Sequence, residues 1–542
     1  MGNCVHVAGV VRFLSIAEEL GYRTVFLGAA VPVDTLVDVI EREDPVLVGI
    51  SYRLTPDVGL RLTEELAGKL RARGLAGRRF AFGGTPPVCE AVRRVGLFEA
   101  CFDGMEEPED VWRWLEGRPS SQPGSIQHAD NLFERLDEKR PYPLLRHHFG
   151  LPSLEDTIEG IGRIAESGSV DVISVAPDQN AQESMFRPNE MDRALDGAGG
   201  VPVRSREDLQ SLHAASQRGN YPLLRIYSGT RDLVAWAELA RETINNAWAA
   251  IPLCWYSRLD GRSPRDLASA IAENQECMAW HGARGIPVEV NEAHHWSLRD
   301  AHDTIAVVMA YIAAYNARSA GVSRYVAQYM FNTPPGIDGT MDLAKVAAQI
   351  EMVESLHGPE FTSIRQVRAG LLHLSPRLLQ AKGQLAASTL LSLAVTPHII
   401  HVVGFCEGDH AAGPDDVIES CEIVKGTLRN AWRRMPNMLH AQAVQDRKRH
   451  LMAEAEVLLG AVRGLADDHE DPFATPRVLA EAIRIGVLDA PHLKGNECAA
   501  GRLTTRVVGG AVEAVDPDTS APISEYERLA ALGLHAVQRA WD

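Results

Sequence analysis

The chain has 542 residues, of which 45% are apolar and 23% charged, and its formal net charge is -18. A single core stops growing well below this length, so at least two domains are predicted. The negative charge disfavours nucleic acid and anionic membranes as main partners. No apolar stretch reaches the roughly 18 residues of a spanning helix and no signal-peptide pattern is present, which predicts a cytoplasmic protein. The eight cysteines are scattered, as is typical of reduced thiols.

Residues 1–118 predict an α/β domain. Short apolar strands are predicted at 24–27, 46–51 and 79–82. Helical patterns lie between them, and this alternation is typical of a parallel, doubly wound, Rossmann-like sheet of the flavodoxin-like kind, whose ligand lies beyond the carboxyl ends of the strands. A segment rich in Pro, Ser and Gly follows, so residues 119–145 are predicted to be a linker.

Residues 146–470 show a slower alternation of strands and helices. Seven strands are predicted at 170–175, 223–227, 251–256, 288–291, 324–329, 362–367 and 399–403. Together with one unrecognised strand, they suit a (β/α)8 TIM barrel better than a second open sheet. Residues 471–542 are then a C-terminal extension that packs on the barrel.

Five residues of the first domain are predicted to line one edge of its sheet. His6 and Gly9 follow a first strand, Ser51 ends a second, and Gly83 and Gly84 follow a third. Glycines let a ligand approach the backbone, Ser51 offers a hydrogen bond, and a neutral imidazole can ligate a metal. This arrangement favours a long ligand tail between strands and helices, with His6 on a metal that the ligand carries.

These residues resemble the cobalamin-binding domain of cobalamin-dependent mutases and methionine synthase, whose pattern is D-x-H-x-x-G, then S-x-L, then G-G. The 41 residues between Gly9 and Ser51 match the family's gap. The resemblance implies that His6 is the axial ligand to cobalt and that Ser51 and the glycine pair hold the displaced nucleotide base. Cys4 stands where the family has the Asp that orients this His. The family also has a central strand just before the His, which would lie upstream of Met1 or be missing.

The remaining chain resembles the large, catalytic subunit of glutamate mutase, also called methylaspartate mutase. The likeness runs in order through residues 154–180, 221–232, 386–403 and 486–506. In that family the two domains are separate subunits, whereas here they would be fused. The resemblance implies adenosylcobalamin as cofactor, clamped between the small domain and the carboxyl face of the barrel, and a radical that takes hydrogen from the substrate.

The resemblance also implies a set of substrate-binding residues. The family pairs three arginines with a dicarboxylate, because guanidinium groups form bidentate pairs with carboxylates. Arg193 falls at one of these positions and His148 lies near another. Tyr227 replaces the third, and Arg225 lies two residues earlier on the same side of the strand. Ala247 stands where the family has a carboxylate for the substrate's amino group, so a small carboxylic acid other than glutamate is predicted.

Glu407 and Asp409 lie where the family has a lysine near the adenosine ribose, and they are predicted to bond its hydroxyls. The sequence thus predicts an adenosylcobalamin-dependent carbon-skeleton mutase, a radical isomerase, with a homodimer as a candidate assembly. Two alternatives stay open: a non-catalytic corrinoid-binding protein, suggested by Cys4 and Ala247, and a corrinoid methyltransferase. The loop with His294 and His295 is expected on the same barrel face, either touching a ligand or merely solvated.

Overall fold

A computed structural model describes residues 1–106, 108–117, 128–227, 229–432 and 435–534. The chain divides into two units, Met1–Gln127 and His128–Asp542. Across these described ranges, no helix combines the length and apolar character needed to cross a membrane.

The described part of the N-terminal unit is a parallel sheet with helices. Its strands are β1 (Leu47–Ser51), β2 (Arg79–Gly83) and β3 (Ala100–Phe102), paired in that order. Its helices are α1 (Ala8–Glu19), α2 (Val33–Glu43), α3 (Pro56–Ala72), α4 (Pro86–Arg93) and α5 (Pro108–Leu115). Both α3 and α4 begin with a proline, whose fixed φ suits the first helical turn and whose missing N–H is not needed there. Phe80 and Phe82 of β2 are fully buried, so β2 is the core of this sheet.

The prediction of a strand at 24–27 is wrong. These residues form no strand, and Val25, Phe26 and Leu27 are exposed. Apolar, β-branched sequence favours a strand only where a neighbouring strand accepts its backbone hydrogen bonds. Among the described residues, the edge of β1 opposite β2 has no partner strand. The unit is therefore α/β with three described parallel strands, which is less than the flavodoxin-like sheet that the sequence predicts.

The second unit contains an eight-stranded parallel sheet that nearly closes into a barrel, the architecture of a TIM barrel. The strands are β4 (Leu144–Phe149), β5 (Val172–Val175), β6 (Leu223–Ile226), β7 (Ala249–Pro252), β8 (Val288–Asn291), β9 (Arg324–Phe331), β10 (Thr362–Ala369) and β11 (Ile399–Val402). Their order is β6-β5-β4-β11-β10-β9-β8-β7. A parallel bridge between Tyr227 and Ala250 joins the two ends. The predicted barrel is confirmed at this level.

Helices alternate with these strands. They are α6 (Leu132–Lys139), α7 (Leu154–Ser167), α8 (Gln179–Ser184), α9 (Arg206–Ser216), α10 (Leu233–Ile244), α11 (Leu267–Gly282), α12 (Ala293–Ser297), α13 (Asp303–Ser319), α14 (Gly339–Glu354), α15 (Leu378–Ser392) and α16 (Pro414–Ala431). Side chains cap several of them; for example, Ser153 accepts from the Asp156 amide at the start of α7, and Ser205 forms a capping box with Asp208 in α9. The segment predicted to be a linker, 119–145, includes α6 and the start of β4.

The C-terminal segment packs on the barrel helices. It comprises α17 (Gln442–Arg463), α18 (Pro476–Ile485), β12 (Thr505–Val508), β13 (Ala511–Ala514) and α19 (Glu525–Ala531). Glu525 is buried and pairs with Arg528 and, at 2.8 Å, with His302 at the start of α13. The Val512 amide donates to Asp303. These buried polar contacts fix where the segment lies on the barrel.

Alternate residues of the barrel strands face the interior and form layers. The layer near the amino ends is an apolar cluster that includes Leu144, Val172, Leu223, Trp248, Val326, Ile364 and Ile399. Two residues further along the strands, the next layer is polar and contains Arg146, Ser174, Arg225, Glu289, Gln328, Gln366 and His401. All but Gln328 are classed as buried. Buried charges are costly unless they are paired, so this polar layer marks the part of the barrel that is built for something other than packing.

Candidate functional site

Two fully buried arginines share one carboxylate inside the barrel. Arg146 donates from Nε to Ser174 Oγ at 2.6 Å and from Nη1 to Gln366 Oε1 at 2.8 Å, and its Nη1 lies 3.3 Å from Glu289 Oε2. Arg225 Nη1 donates to the same Ser174 hydroxyl at 3.2 Å, and its Nη2 lies 3.6 Å from the same Glu289 oxygen. Glu289 is thus the joint counter-ion of both arginines.

The electrostatics of this cluster leave an excess of positive charge. Burial alone would raise the pKa of Glu289, but Arg225 and Arg146 outweigh it, so the pKa is lowered and Glu289 stays ionised. Burial, together with the neighbouring Arg225, lowers the pKa of Arg146 to about 9, which still leaves it charged at neutral pH. One carboxylate therefore faces two guanidinium groups, a pattern suited to an anionic ligand nearby.

His148 and Tyr227 lie together one layer closer to the carboxyl ends of the strands. The Tyr227 hydroxyl is 3.1 Å from His148 Nε2, and the two rings stack with centroids 5.4 Å apart. The Arg225 guanidinium lies 5.0 Å from the Tyr227 ring centroid. Burial, helped by the charges of Arg146 and Arg368, holds the pKa of His148 well below its ordinary value. His148 is consequently a neutral imidazole that can accept or donate a hydrogen bond.

The structure brings together three of the four residues predicted to bind substrate: His148, Arg225 and Tyr227. Arg193 is outside this cluster; it is exposed in a 3-10 turn of the loop that follows β5. Arg225 is fully enclosed, and its Nε and Nη2 atoms form no hydrogen bond. These two atoms form one edge of the guanidinium group, the edge that pairs bidentately with carboxylates.

Arg368, at the carboxyl end of β10, is a candidate functional residue that the sequence analysis missed. It is only partly buried, and its Nε is a buried atom without a hydrogen-bond partner. Within the described ranges, no carboxylate pairs with it. Its charge lowers the pKa of His148, and of His401 on the neighbouring strand, after the larger effect of burial. Arg368 is therefore a free cation at the open end of the polar lumen.

Glu407 and Asp409, the predicted ribose ligands, lie in and just after a 3-10 turn that follows β11, and both are exposed. The Asp409 carboxylate is held by His410 Nδ1 at 2.8 Å. The Glu407 residue is exposed but partly surrounded by protein, and this loss of solvation raises the pKa of its carboxyl group more than the charge of nearby Arg368 lowers it. Glu407 therefore lies near the mouth of the lumen, whereas Asp409 is engaged with its neighbour.

Two other expectations are corrected by the barrel geometry. Ala247 precedes β7 and lies in the apolar layer at the amino ends of the strands. It is thus at the opposite end from the polar lumen and carries no information about a substrate's amino group. His294 and His295 are buried in α12 rather than solvated, and His294 Nδ1 lies 3.3 Å from Gln328 Nε2.

In the N-terminal unit, four of the five residues predicted to bind the cofactor line one cavity. Gly9, Ser51, Gly83 and Gly84 line a space of about 340 Å³ that Phe13 and Phe102 also border. This volume is at the lower end of ordinary ligand pockets. A Cβ at Gly9 would meet no atom within 4 Å, whereas a Cβ at Gly84 would lie 3.0 Å from the Tyr52 carbonyl oxygen. The cavity therefore has free space next to Gly9, whereas the backbone at Gly84 packs closely against that of Tyr52.

His6, the predicted metal ligand, lines an adjoining cavity of about 310 Å³ to which Ser51 also belongs. Its side chain is exposed, and its Nδ1 lies 3.7 Å from the sulfur of buried Cys4. The thiol thus occupies the place beside the imidazole where the resembling family has a carboxylate. A thiol polarises an imidazole less than a carboxylate does, so Cys4 would make His6 a weaker metal ligand than a carboxylate at this position would.

Comparisons with known proteins add no assignment. A scan against models of protein families found no match to this chain, and a search of curated proteins also found none. The resemblance to glutamate mutase therefore rests on the residues quoted above.

Proposed function

We propose that this chain is an adenosylcobalamin-dependent carbon-skeleton mutase, a radical isomerase, that acts on a small carboxylic acid. The observation that carries the proposal is the charge inside the barrel: Arg146 and Arg225 share the carboxylate of Glu289, and Arg368 has no carboxylate partner among the described residues. An anionic substrate at the carboxyl end of the strands, where TIM barrels hold their active sites, compensates this charge.

The residues at the carboxyl end of the lumen have different roles in binding the substrate. Arg368, whose Nε has no hydrogen-bond partner, can pair with the substrate carboxylate. Tyr227 and His148, which contact each other, supply neutral hydrogen-bonding groups beside it. The Arg225 guanidinium lies against the Tyr227 ring and adds positive charge next to these two groups. Arg193, in the exposed segment between β5 and β6, is the second arginine that the resemblance implies for bidentate pairing with a carboxylate.

The N-terminal unit supplies the candidate cofactor site. Its cavities fit the residue pattern of a cobalamin domain, because Gly9, Ser51, Gly83 and Gly84 line one and His6 lines the next. When bound, adenosylcobalamin would supply a carbon-centred radical that removes a hydrogen atom from the substrate. The chain itself positions the substrate and keeps water away from the reacting atoms.

The test is to incubate the full chain and adenosylcobalamin with glutamate, methylaspartate and a panel of small mono- and dicarboxylic acids. We expect one acid other than glutamate to produce cob(II)alamin, followed by absorption, because His148 and Tyr227 stand where the family has arginines for the second carboxylate. Tight cofactor binding without cob(II)alamin for any acid would reject the mutase and support a non-catalytic corrinoid-binding protein. Fast turnover of glutamate would reject the prediction that the substrate is an acid other than glutamate.

A further inference from the structure

Three potential metal ligands meet on the outer side of the barrel, beside β11. Cys406, His410 and Asp416 each offer one ligand atom, and these atoms all lie within 4.8 Å of one another. Cys406 is in the 3-10 turn after β11, His410 follows that turn, and Asp416 is in the first turn of α16. Cys406 is buried and His410 exposed, so an ion entering from solvent would find an enclosed sulfur behind an accessible imidazole.

His147 of β4 is a candidate fourth ligand beside these three residues. Its neighbours Arg146 and His148 face the barrel interior, so its own side chain faces outward, and only 3% of the residue is exposed. Its Nδ1 lies 2.5 Å from the His148 carbonyl oxygen, whereas its Nε2 is buried and has no hydrogen-bond partner. A Cβ built on Gly404 would lie 3.3 Å from Cys406 Sγ and 3.5 Å from His147 Nε2, so the sulfur and the free nitrogen border the same space next to Gly404.

Both histidines are oriented as metal ligands usually are. A ligating histidine commonly donates its other ring N–H to a carbonyl or carboxylate oxygen. His147 uses the His148 carbonyl for this contact, and His410 Nδ1 lies 2.8 Å from Asp409 Oδ2. His410 Nε2 is then directed at Asp416 Oδ2, 3.3 Å away. Ligand atoms around a tetrahedral ion with bonds of about 2.0–2.3 Å are separated by about 3.3–3.8 Å, which the His410–Asp416 spacing meets.

We propose that His147, Cys406, His410 and Asp416 form a four-coordinate site for a divalent transition metal, with zinc as the best match. A thiolate, two imidazoles and a carboxylate are ligands that zinc takes in a tetrahedral shell. On binding, the Cys406 thiol releases its proton to solvent and its sulfur bonds to the metal. Four protein ligands leave no open position, so the metal stabilises structure and fixes the turn after β11 against β4. All four residues belong to the barrel unit, whereas His6, the predicted cobalt ligand, belongs to the N-terminal unit.

The test uses tag-free, metal-free full-length protein with a non-thiol reductant, titrated with Co(II). We expect saturation at one Co(II) per chain with strong tetrahedral d–d bands and a sulfur-to-cobalt charge-transfer band, and displacement of both by zinc. Cys406→Ser should remove the charge-transfer band. His147→Gln and His410→Ala should weaken Co(II) binding by at least about tenfold.

Cys498→Ser, at a partly buried cysteine of the C-terminal segment, and His440→Ala, at an exposed histidine, are the matched controls and should behave as wild type. Since His410 is exposed, His410→Ala reports on the site even if the variants at buried Cys406 or His147 fold poorly. The proposal is overturned if excess Co(II) gives the wild type no sulfur-to-cobalt band, or if Cys406→Ser keeps that band. It is overturned equally if the two controls weaken binding as much as His410→Ala. Cobalamin is absent from every sample, so these outcomes do not depend on the proposed function.

Discussion

Glu289→Gln is expected to lower the free energy of unfolding by about 3–5 kcal/mol, because it leaves Arg146 and Arg225 buried without their shared counter-ion. Urea unfolding followed by circular dichroism measures the change. Glu354→Gln is the matched control: Glu354 pairs with Arg365 on the outside of the barrel, where its side chain is 30% exposed. Loss of such an exposed ion pair lowers the free energy of unfolding by about 0–1 kcal/mol.

The effect should depend on pH in a defined direction. The folded-state pKa of Glu289 is lowered, so its stabilisation is present above the pKa of the unfolded chain and is lost as the pH falls through the folded-state value. The difference between wild type and Glu289→Gln should therefore be largest near neutral pH and shrink in acid. Equal unfolding free energies for the two proteins at neutral pH would show that the lumen arginines do not depend on Glu289.

Arg368→Gln is expected to reduce substrate-dependent formation of cob(II)alamin by at least about 30-fold. Removing one partner of a buried charge pair costs about 2 kcal/mol or more, and about 1.4 kcal/mol corresponds to a factor of ten. Binding of the corrin itself should not change, since Arg368 belongs to the barrel unit, whereas His6, Gly9, Ser51, Gly83 and Gly84 belong to the N-terminal unit. The measurement is the rate of cob(II)alamin formation with the acid that gives a signal in wild type.

The control for this prediction lies on the same strand. Arg365 of β10 points outward, where it pairs with Glu354, and Arg365→Gln should keep the wild-type rate. A similar loss of rate in both variants would attribute the effect to β10 as a whole. An unchanged rate in Arg368→Gln would remove Arg368 from the substrate site.

The alternation of apolar and helical segments was sufficient to predict the barrel, but not all of its strands. Seven strands were predicted with boundaries close to those observed, because they are apolar runs separated by helices. The eighth, β4, has Arg146, His147 and His148 at its third to fifth positions. A strand with these polar residues is not recognised as an apolar run. In the structure, Arg146 and His148 belong to the lumen cluster and His147 to the candidate metal site.

The candidate site was predictable only where its residues share a strand or a motif. Arg225 and Tyr227 lie two apart on one strand, so their common side followed from strand geometry. Glu289 is 143 residues from Arg146, and only closure of the barrel brings the two together. The prediction of a strand at 24–27 is wrong for the opposite reason. The local sequence suits a strand, but a strand forms only beside a second strand that accepts its hydrogen bonds, and the local sequence does not show whether one is there.

The most direct test of the central claim is electron paramagnetic resonance of the full chain reconstituted with cob(II)alamin, prepared with and without ¹⁵N-labelled histidine. The account predicts nitrogen splitting that changes from a triplet to a doublet pattern on labelling and disappears in His6→Ala, while His440→Ala retains it. A spectrum that is unaffected by the label, or that is the same in His6→Ala, would contradict cobalt ligation by His6 and with it the assignment of the N-terminal unit as a cobalamin domain.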